Sequence, residues 1–168
     1  QVGHVPDDQY AILAQQAAKM IKDVDPSIEL VACSSCTIDL PTYMEWDRIV
    51  LEYIDSYADY ISLHRYVGNP QGNSADYLAV TNSIDQQIEK TDAVCRYVQA
   101  RSKSKKRHHL CFDEWNVWYH SQEADTKVEP WIAAPHLLED VYNFEDALLV
   151  GCLLITLLKH ADRIKIAC

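Results

Sequence analysis

With 168 residues, 48% of them hydrophobic and 10% aromatic, the chain is long enough to bury one sizeable core and too apolar to be disordered. Its 15 Lys and Arg against 25 Asp and Glu leave a formal net charge of -10, which repels phosphate backbones and anionic membranes. Nucleic acid and membrane surfaces are therefore excluded as expected partners.

Residues 1–10, QVGHVPDDQY, have neither the basic start nor the apolar core of a signal peptide and no initiator Met, so the expectation is that a longer sequence has been cut. Leu13, Ala17, Met20, Ile21 and Val24 recur at helical spacing behind Asp7 and Asp8, and Pro26 closes the element, which predicts a helix over about 8–24. Leu30 to Cys33 reads as a short buried strand. Asp39 and Pro41 then prepare a second helix containing Trp46, Ile49, Val50, Tyr53 and Tyr57.

Tyr60 to Tyr66 reads as a strand, followed by a turn-rich loop with Gly68, Asn69, Pro70, Gly72 and Asn73. Ile84, Ile88, Thr91, Cys95 and Val98 mark one face of a long helix. The basic run from Arg101 to His109 contains serines and precedes a strand, so it reads as a solvated loop rather than an RNA or heparin patch. His109 to Asp113 forms the next strand, with Glu114 at its C-terminal end. A longer loop spans 116–135, and Asn143 and Asp146 then supply an N-cap and its partner for a helix through Lys159. The apolar stretch Ala147 to Leu158 is too short for the roughly 20 residues a bilayer span needs and reads as a buried helix. Ile164 to Cys168 begins a fourth strand.

Helix and strand alternate throughout, which defines an α/β chain. A doubly wound sheet and a barrel share this alternation. Chemically suggestive residues follow two successive strands, at His64 to Tyr66 and at Glu114 to Trp118, and a barrel brings such strand ends to one mouth although about 50 residues separate them. The expected architecture is a partial TIM barrel in one domain, residues 1–168.

The run HLCFDEWNVWY, His109 to Tyr119, carries the strongest chemical signal. Glu114 is surrounded in sequence by Trp115, Asn116, Trp118 and Tyr119, and carbohydrate enzymes need this mixture of a carboxylate with aromatic faces that hold sugar C–H surfaces. The plain alternative is an acidic strand end with core tryptophans. Asp113, next to Glu114, is expected to point to the opposite side where both keep strand geometry, with a hydrogen-bonded structural carboxylate as its plain role. Cys33 and Cys36 form a lone CxxC without a second pair or a redox helix, and the other cysteines lie mostly in apolar surroundings, as reduced thiols commonly do. His64, His108, His109, His120 and His136 show no compact ligand spacing, so they give no metal site to expect.

The segments YISLHRYVGN at 60–69, NSADYLA at 73–79, FDEWNVWY at 112–119 and EPWIAAPHLLEDVYNFEDALLVG at 129–151, continuing as LLKHADRIKIAC, resemble the retaining α-L-arabinofuranosidases of glycoside hydrolase family 51. That resemblance implies a (β/α)8 barrel covered here from about helix 4 to the start of strand 8, the C-terminal half of the barrel. It implies two glutamates working by double displacement on terminal non-reducing α-L-arabinofuranosyl groups of arabinan, arabinoxylan or their oligosaccharides. Glu114 is similar to the nucleophile, Tyr66 to the residue that holds the nucleophilic carboxylate, His64 to a polar member of the sugar pocket and Trp118 to its aromatic wall. The family's acid/base Glu lies in an Asn-Glu pair ahead of the region matched here, so these residues alone are expected to be inactive. The family also implies homo-oligomers without a cofactor, and with the reduced-looking cysteines it points to a cytoplasmic enzyme. The competing expectation is a noncatalytic carbohydrate-binding or structural fragment.

Overall fold

A computed structural model describes residues 5–129, 131–135 and 139–168; His136 lies outside them. Helix α1 (Asp7–Val24) opens on Asp7 and Asp8, whose charges favour the positive end of the helix dipole, and it stops before Pro26. It lies along α2 (Glu45–Ile54), with Tyr10 stacked on Trp46 at 5.0 Å and the Gln15 side chain donating to the Tyr53 carbonyl at 2.6 Å.

Between them, β1 is only Val31–Ala32, shorter than the sequence predicts. From Cys33 the backbone turns aside to other partners: the Ser34 N–H donates to Ser62 Oγ at 3.1 Å and the Ser35 N–H to the buried Asp47 at 2.7 Å. Tyr57 falls beyond α2, in a turn where the Tyr57 and Ala58 N–H groups both donate to the Ile54 carbonyl.

Strand β2 (Tyr60–Val67) is followed by the short helix α3 (Ser74–Ala79), which the turn-rich sequence concealed; the Asn73 side chain caps it by accepting from the Asp76 N–H. Then come α4 (Thr81–Ser102), β3 (His109–Val117), the single turn α5 (Gln122–Asp125), α6 (Phe144–Lys159) and β4 (Ile164–Ala167). The capping box expected from Asn143 and Asp146 is formed in both directions. The basic run departs from a purely solvated loop. Lys106 pairs with Asp59 at 2.9 Å, and His108 is buried with its Nε2 2.8 Å from Asp55.

The four strands are all parallel, in the order β1-β2-β3-β4. This order separates the two architectures that share the alternation. Consecutive neighbours joined by right-handed crossovers put every connecting helix on one face, whereas a doubly wound sheet reverses its order and covers both. The chain is thus an arc of a TIM barrel. Ile61, Leu63, Leu110 and Phe112 point to the helix side and pack with Val50, Ile54, Ile88 and Val98. The intervening residues, including Ser62 and His64, face the inside of the arc.

The expectation of a wholly buried last helix needs correction. Leu149, Leu153 and Leu157 are buried at helical spacing, but Leu148, Leu154, Ile155 and Leu158 are exposed, as are Leu13, Met20 and Val24 on α1. These are the first and last of the long helices along the arc; α1 packs against α2, and α6 against α3 and α4. No helix among the described residues is long and apolar enough to cross a membrane.

Candidate active site

The inner face of the arc gathers its chemistry at the C-terminal ends of β2 and β3. Register explains how. Leu63 pairs with Phe112, but the next residue, His64, pairs with Glu114, so Asp113 is an extra residue in a β-bulge. A regular strand would send Asp113 and Glu114 to opposite faces. Here both carboxylates approach the one imidazole, Asp113 Oδ1 at 3.3 Å from His64 Nε2 and Glu114 Oε2 at 3.6 Å from Nδ1.

The expectation for Asp113 is therefore corrected twice. It shares the site with Glu114, and its buried Oδ1 makes no hydrogen bond among the described residues because the 3.3 Å approach lacks hydrogen-bond geometry. The bulge also carries β3 past Asp113 to Val117, so that Glu114 sits within the strand rather than after it.

Glu114 is half-exposed, its side chain retaining 54% of its accessible surface. Beside it, burial and then the charge of Glu114 push the Tyr66 phenol up, so the hydroxyl stays a neutral donor at ordinary pH. No hydrogen bond joins Tyr66 to Glu114 among the described residues; the Tyr66 ring meets Trp118 edge-on at 5.5 Å. The Trp118 backbone is held by its N–H donating to the Val67 carbonyl at 2.9 Å, and its carbonyl accepts from the Gln122 side chain at 2.9 Å. Its indole Nε1 is buried without a hydrogen-bond partner among the described residues.

A cleft of about 340 Å³ opens against His64 and Tyr66, walled also by Cys36, Asp39, Arg65 and Val80; Glu114 and Trp118 lie outside its lining. All four residues singled out in the sequence thus stand at one end of two adjacent strands. Trp115 instead packs partly buried against the core, fulfilling the plain reading of a core tryptophan.

Sequence reasoning missed the groups that hold the loop beyond β3. Asp140 accepts the N–H groups of Tyr119, His120 and Ser121 at 3.1, 3.2 and 2.7 Å. Burial alone would push this carboxyl up, but these donors hold it below the usual carboxylate range. Asp146 takes His120 Nε2 at 2.7 Å and the Tyr77 hydroxyl at 2.9 Å in addition to its cap. The capping-box spacing was the only trace of this in the sequence. Gly68 is required where the loops cross, because a Cβ there would fall 2.5 Å from Tyr119 Cβ.

The CxxC pair flanks the two pinned serines. All six cysteines are free, and burial, followed by the charge of Asp113, pushes the Cys33 thiol up, away from the reactive thiolate. No group of three or more His, Cys, Asp or Glu able to hold a metal ion occurs among the described residues.

A family model described as the α-L-arabinofuranosidase C-terminal domain matches residues 113–168. An intracellular exo-α-(1→5)-L-arabinofuranosidase 1 of Bacillus subtilis is 57% identical over 168 residues, covering 100% of this chain and 34% of the relative. A similarly named protein of Acetivibrio thermocellus is 54% identical over 171 residues, again with 100% and 34% covered. The solved structure of a family 51 α-L-arabinofuranosidase from Bifidobacterium longum matches with a TM-score of 0.91 and 33% identity over 99% of this chain and 36% of that one. A family 51 arabinofuranosidase from Xanthomonas axonopodis pv. citri shares the fold, with a TM-score of 0.74 at 19% identity over 98% of this chain and 33% of that one. The chain spans about a third of the length of the curated relatives it matches.

Proposed function

We propose that this chain, which matches the family 51 α-L-arabinofuranosidases along its whole length and in fold, supplies the nucleophile side of a retaining α-L-arabinofuranosidase. The observation that carries the reading is the placement of Glu114 on the inner face of a barrel arc, half-exposed, facing His64 and flanked by Tyr66 and Trp118.

In that reading residues 1–168 are the C-terminal half of the catalytic barrel. The Glu114 carboxylate attacks the anomeric carbon of a terminal arabinofuranosyl group, forming a glycosyl ester as the C–O bond to the departing sugar breaks. The departing oxygen takes a proton from a second carboxylic acid, which in a retaining enzyme stands about 5–5.5 Å from the first. That acid belongs to the part of such an enzyme outside these 168 residues, in the family's Asn-Glu pair. Water then attacks the same anomeric carbon as its bond to Glu114 breaks and the carboxylate is released, and the second carboxylate, now a base, takes the proton of the water.

The Tyr66 hydroxyl, kept neutral, donates to the carboxylate when the sugar is bound and fixes its aim. His64 supplies a polar wall, and Trp118 presents an indole face to the sugar. The substrate class is arabinan, arabinoxylan or oligosaccharides derived from them. Relatives carrying "intracellular" in their names favour a site of action inside the cell.

The test is covalent. Incubating the full-length enzyme with a 2-deoxy-2-fluoro-α-L-arabinofuranosyl donor carrying an activated leaving group should trap the ester, and peptide mass mapping should find the label on Glu114. A label on Asp113 or another side chain removes the assignment, and binding of arabinosides without label or turnover supports a noncatalytic carbohydrate-binding protein.

A further inference from the structure

Trp118 sits on a segment whose shape is set by carboxylates that lie away from the sugar-facing groups. Immediately after it, three successive N–H groups donate to Asp140, which curls residues 119–121 around one carboxylate. The His120 ring then reaches Asp146 Oδ2 at 2.7 Å. Tyr119 is wedged behind it, with its ring edge-on to Tyr77 at 6.1 Å and its Cβ against Gly68.

A capping-box carboxylate needs to accept only the N–H of the N-cap residue, and Asp146 does so from Asn143 at 2.8 Å. Two further donors come from other elements. His120 arrives from the β3 loop, and the Tyr77 hydroxyl arrives from α3 at 2.9 Å. With 1% of its surface exposed, Asp146 is satisfied wholly within the protein. Burial pushes its carboxyl up, yet the N–H of Asn143, His120 and Tyr77 together hold it below the usual range. This concentration of donors exceeds what ending a helix requires, and both extra donors belong to segments that frame the barrel mouth.

We infer that Asp146 is a positioning residue for substrate binding, acting through His120 to fix the loop that presents Trp118 to the sugar. This inference rests on the reading of Trp118 as the wall of the arabinofuranosyl subsite. The hydrogen bond from His120 sets where the residue two positions before it sits, and Asp146 is anchored to α6 by its own backbone. Loss of the link leaves the cap in place but frees the loop, so the cost falls on sugar binding before it falls on folding.

The test uses the full-length enzyme with 4-nitrophenyl α-L-arabinofuranoside, measuring KM, kcat and Tm for five variants. Trp118→Ala is expected to raise KM the most. His120→Phe and Asp146→Asn should raise KM about fivefold with kcat changed less than twofold, and His120→Gln, which keeps a donor, should recover most of the loss. Asn143→Ala, which removes the cap's acceptor and a contact to Tyr119 but spares His120, should lower Tm the most while raising KM less than His120→Phe does. His120→Phe placed on Trp118→Ala should add little, because the two act on one contact.

If His120→Phe and His120→Gln lower Tm alone while Trp118→Ala still raises KM, Asp146 is only a helix cap and the inference is overturned. Should Trp118→Ala itself leave KM unchanged, the subsite reading fails instead, and the inference falls with it.

Discussion

The two ends of the same strands solve opposite problems. At the base, just before β3 and β4, buried charged groups meet one another: Arg163 binds Asp92 through Nε and donates to the His108 carbonyl at 2.7 Å, and His108 meets Asp55 at 2.8 Å, although Arg163 Nη1 is buried without a hydrogen-bond partner among the described residues. At the mouth, Glu114 and Asp113 approach the shared His64 at 3.6 and 3.3 Å, Tyr66 stands beside Glu114, and the Trp118 indole N–H has no hydrogen-bond partner among the described residues. Partners supplied by the fold contribute to stability. Groups left without them keep the capacity to meet a ligand, which is the division of labour expected of the two faces of a barrel.

The sharpest way to break this contrast is at Glu114. Glu114→Ala in the full-length enzyme should lower kcat/KM by about 10⁴ or more, roughly 5 kcal/mol at 1.36 kcal/mol per decade, with Tm essentially unchanged. Added azide should partly restore turnover by attacking in place of the missing carboxylate. A variant that unfolds in parallel with its loss of activity would mean the mouth is structural as well.

The converse holds at the base. Arg163→Ala removes one of the two arginines on the buried Asp92, leaving Arg96, together with the donor to the His108 carbonyl, and losing a hydrogen bond to a charged group costs about 1.5–3 kcal/mol. The loss should appear in the urea midpoint, while KM of the folded fraction stays the same. A cost within about 0.5 kcal/mol, typical of ordinary surface changes, would erase the distinction between the two ends.

A smaller, pH-dependent effect refines it. Burial pushes the Asp59 carboxyl up, but the Leu30 N–H and the Lys106 and Lys22 ammonium groups bring it below its ordinary value. A depressed folded value means this contribution is fully present above the unfolded value, about 3.9, and is lost as pH falls through the folded one. The stability gap between the native protein and Asp59→Asn should therefore be widest near neutrality and shrink below about pH 4. A gap independent of pH would remove Asp59 from the account of the base.

Much of this was legible in the residue pattern. Helical spacing in Leu13 to Val24 and Ile84 to Val98, the run from Tyr60 and the Asn143 to Asp146 spacing each encode a local structure, and they match the elements found. Glu114 drew notice by its residue type at a strand end among aromatics, the roles proposed for Tyr66, His64 and Trp118 came from the family resemblance, and the structure places all four at one end of β2 and β3. What escaped depends on pairing between distant segments. The bulge at Asp113 exists only in the register of β3 against β2, and the burial of His108 depends on Asp55, 53 residues away. His120 and Asp146 are likewise separated by 26 residues and an irregular stretch. No period in the sequence reports such meetings.

The skipped register at Asp113 also divides β3 into two stretches that pair with β2 in different registers. Up to Phe112 the strand answers to the hydrophobic layer beneath the helices; beyond it Glu114 and Asn116 are exposed while Trp115 and Val117 pack back onto the core. Because one residue is absorbed at the joint, changes above it need not propagate downward as a shift of every side chain. A designer seeking a different sugar specificity can vary the exposed Asn116, while Glu114 keeps its chemistry and Trp115 and Val117 keep their packing.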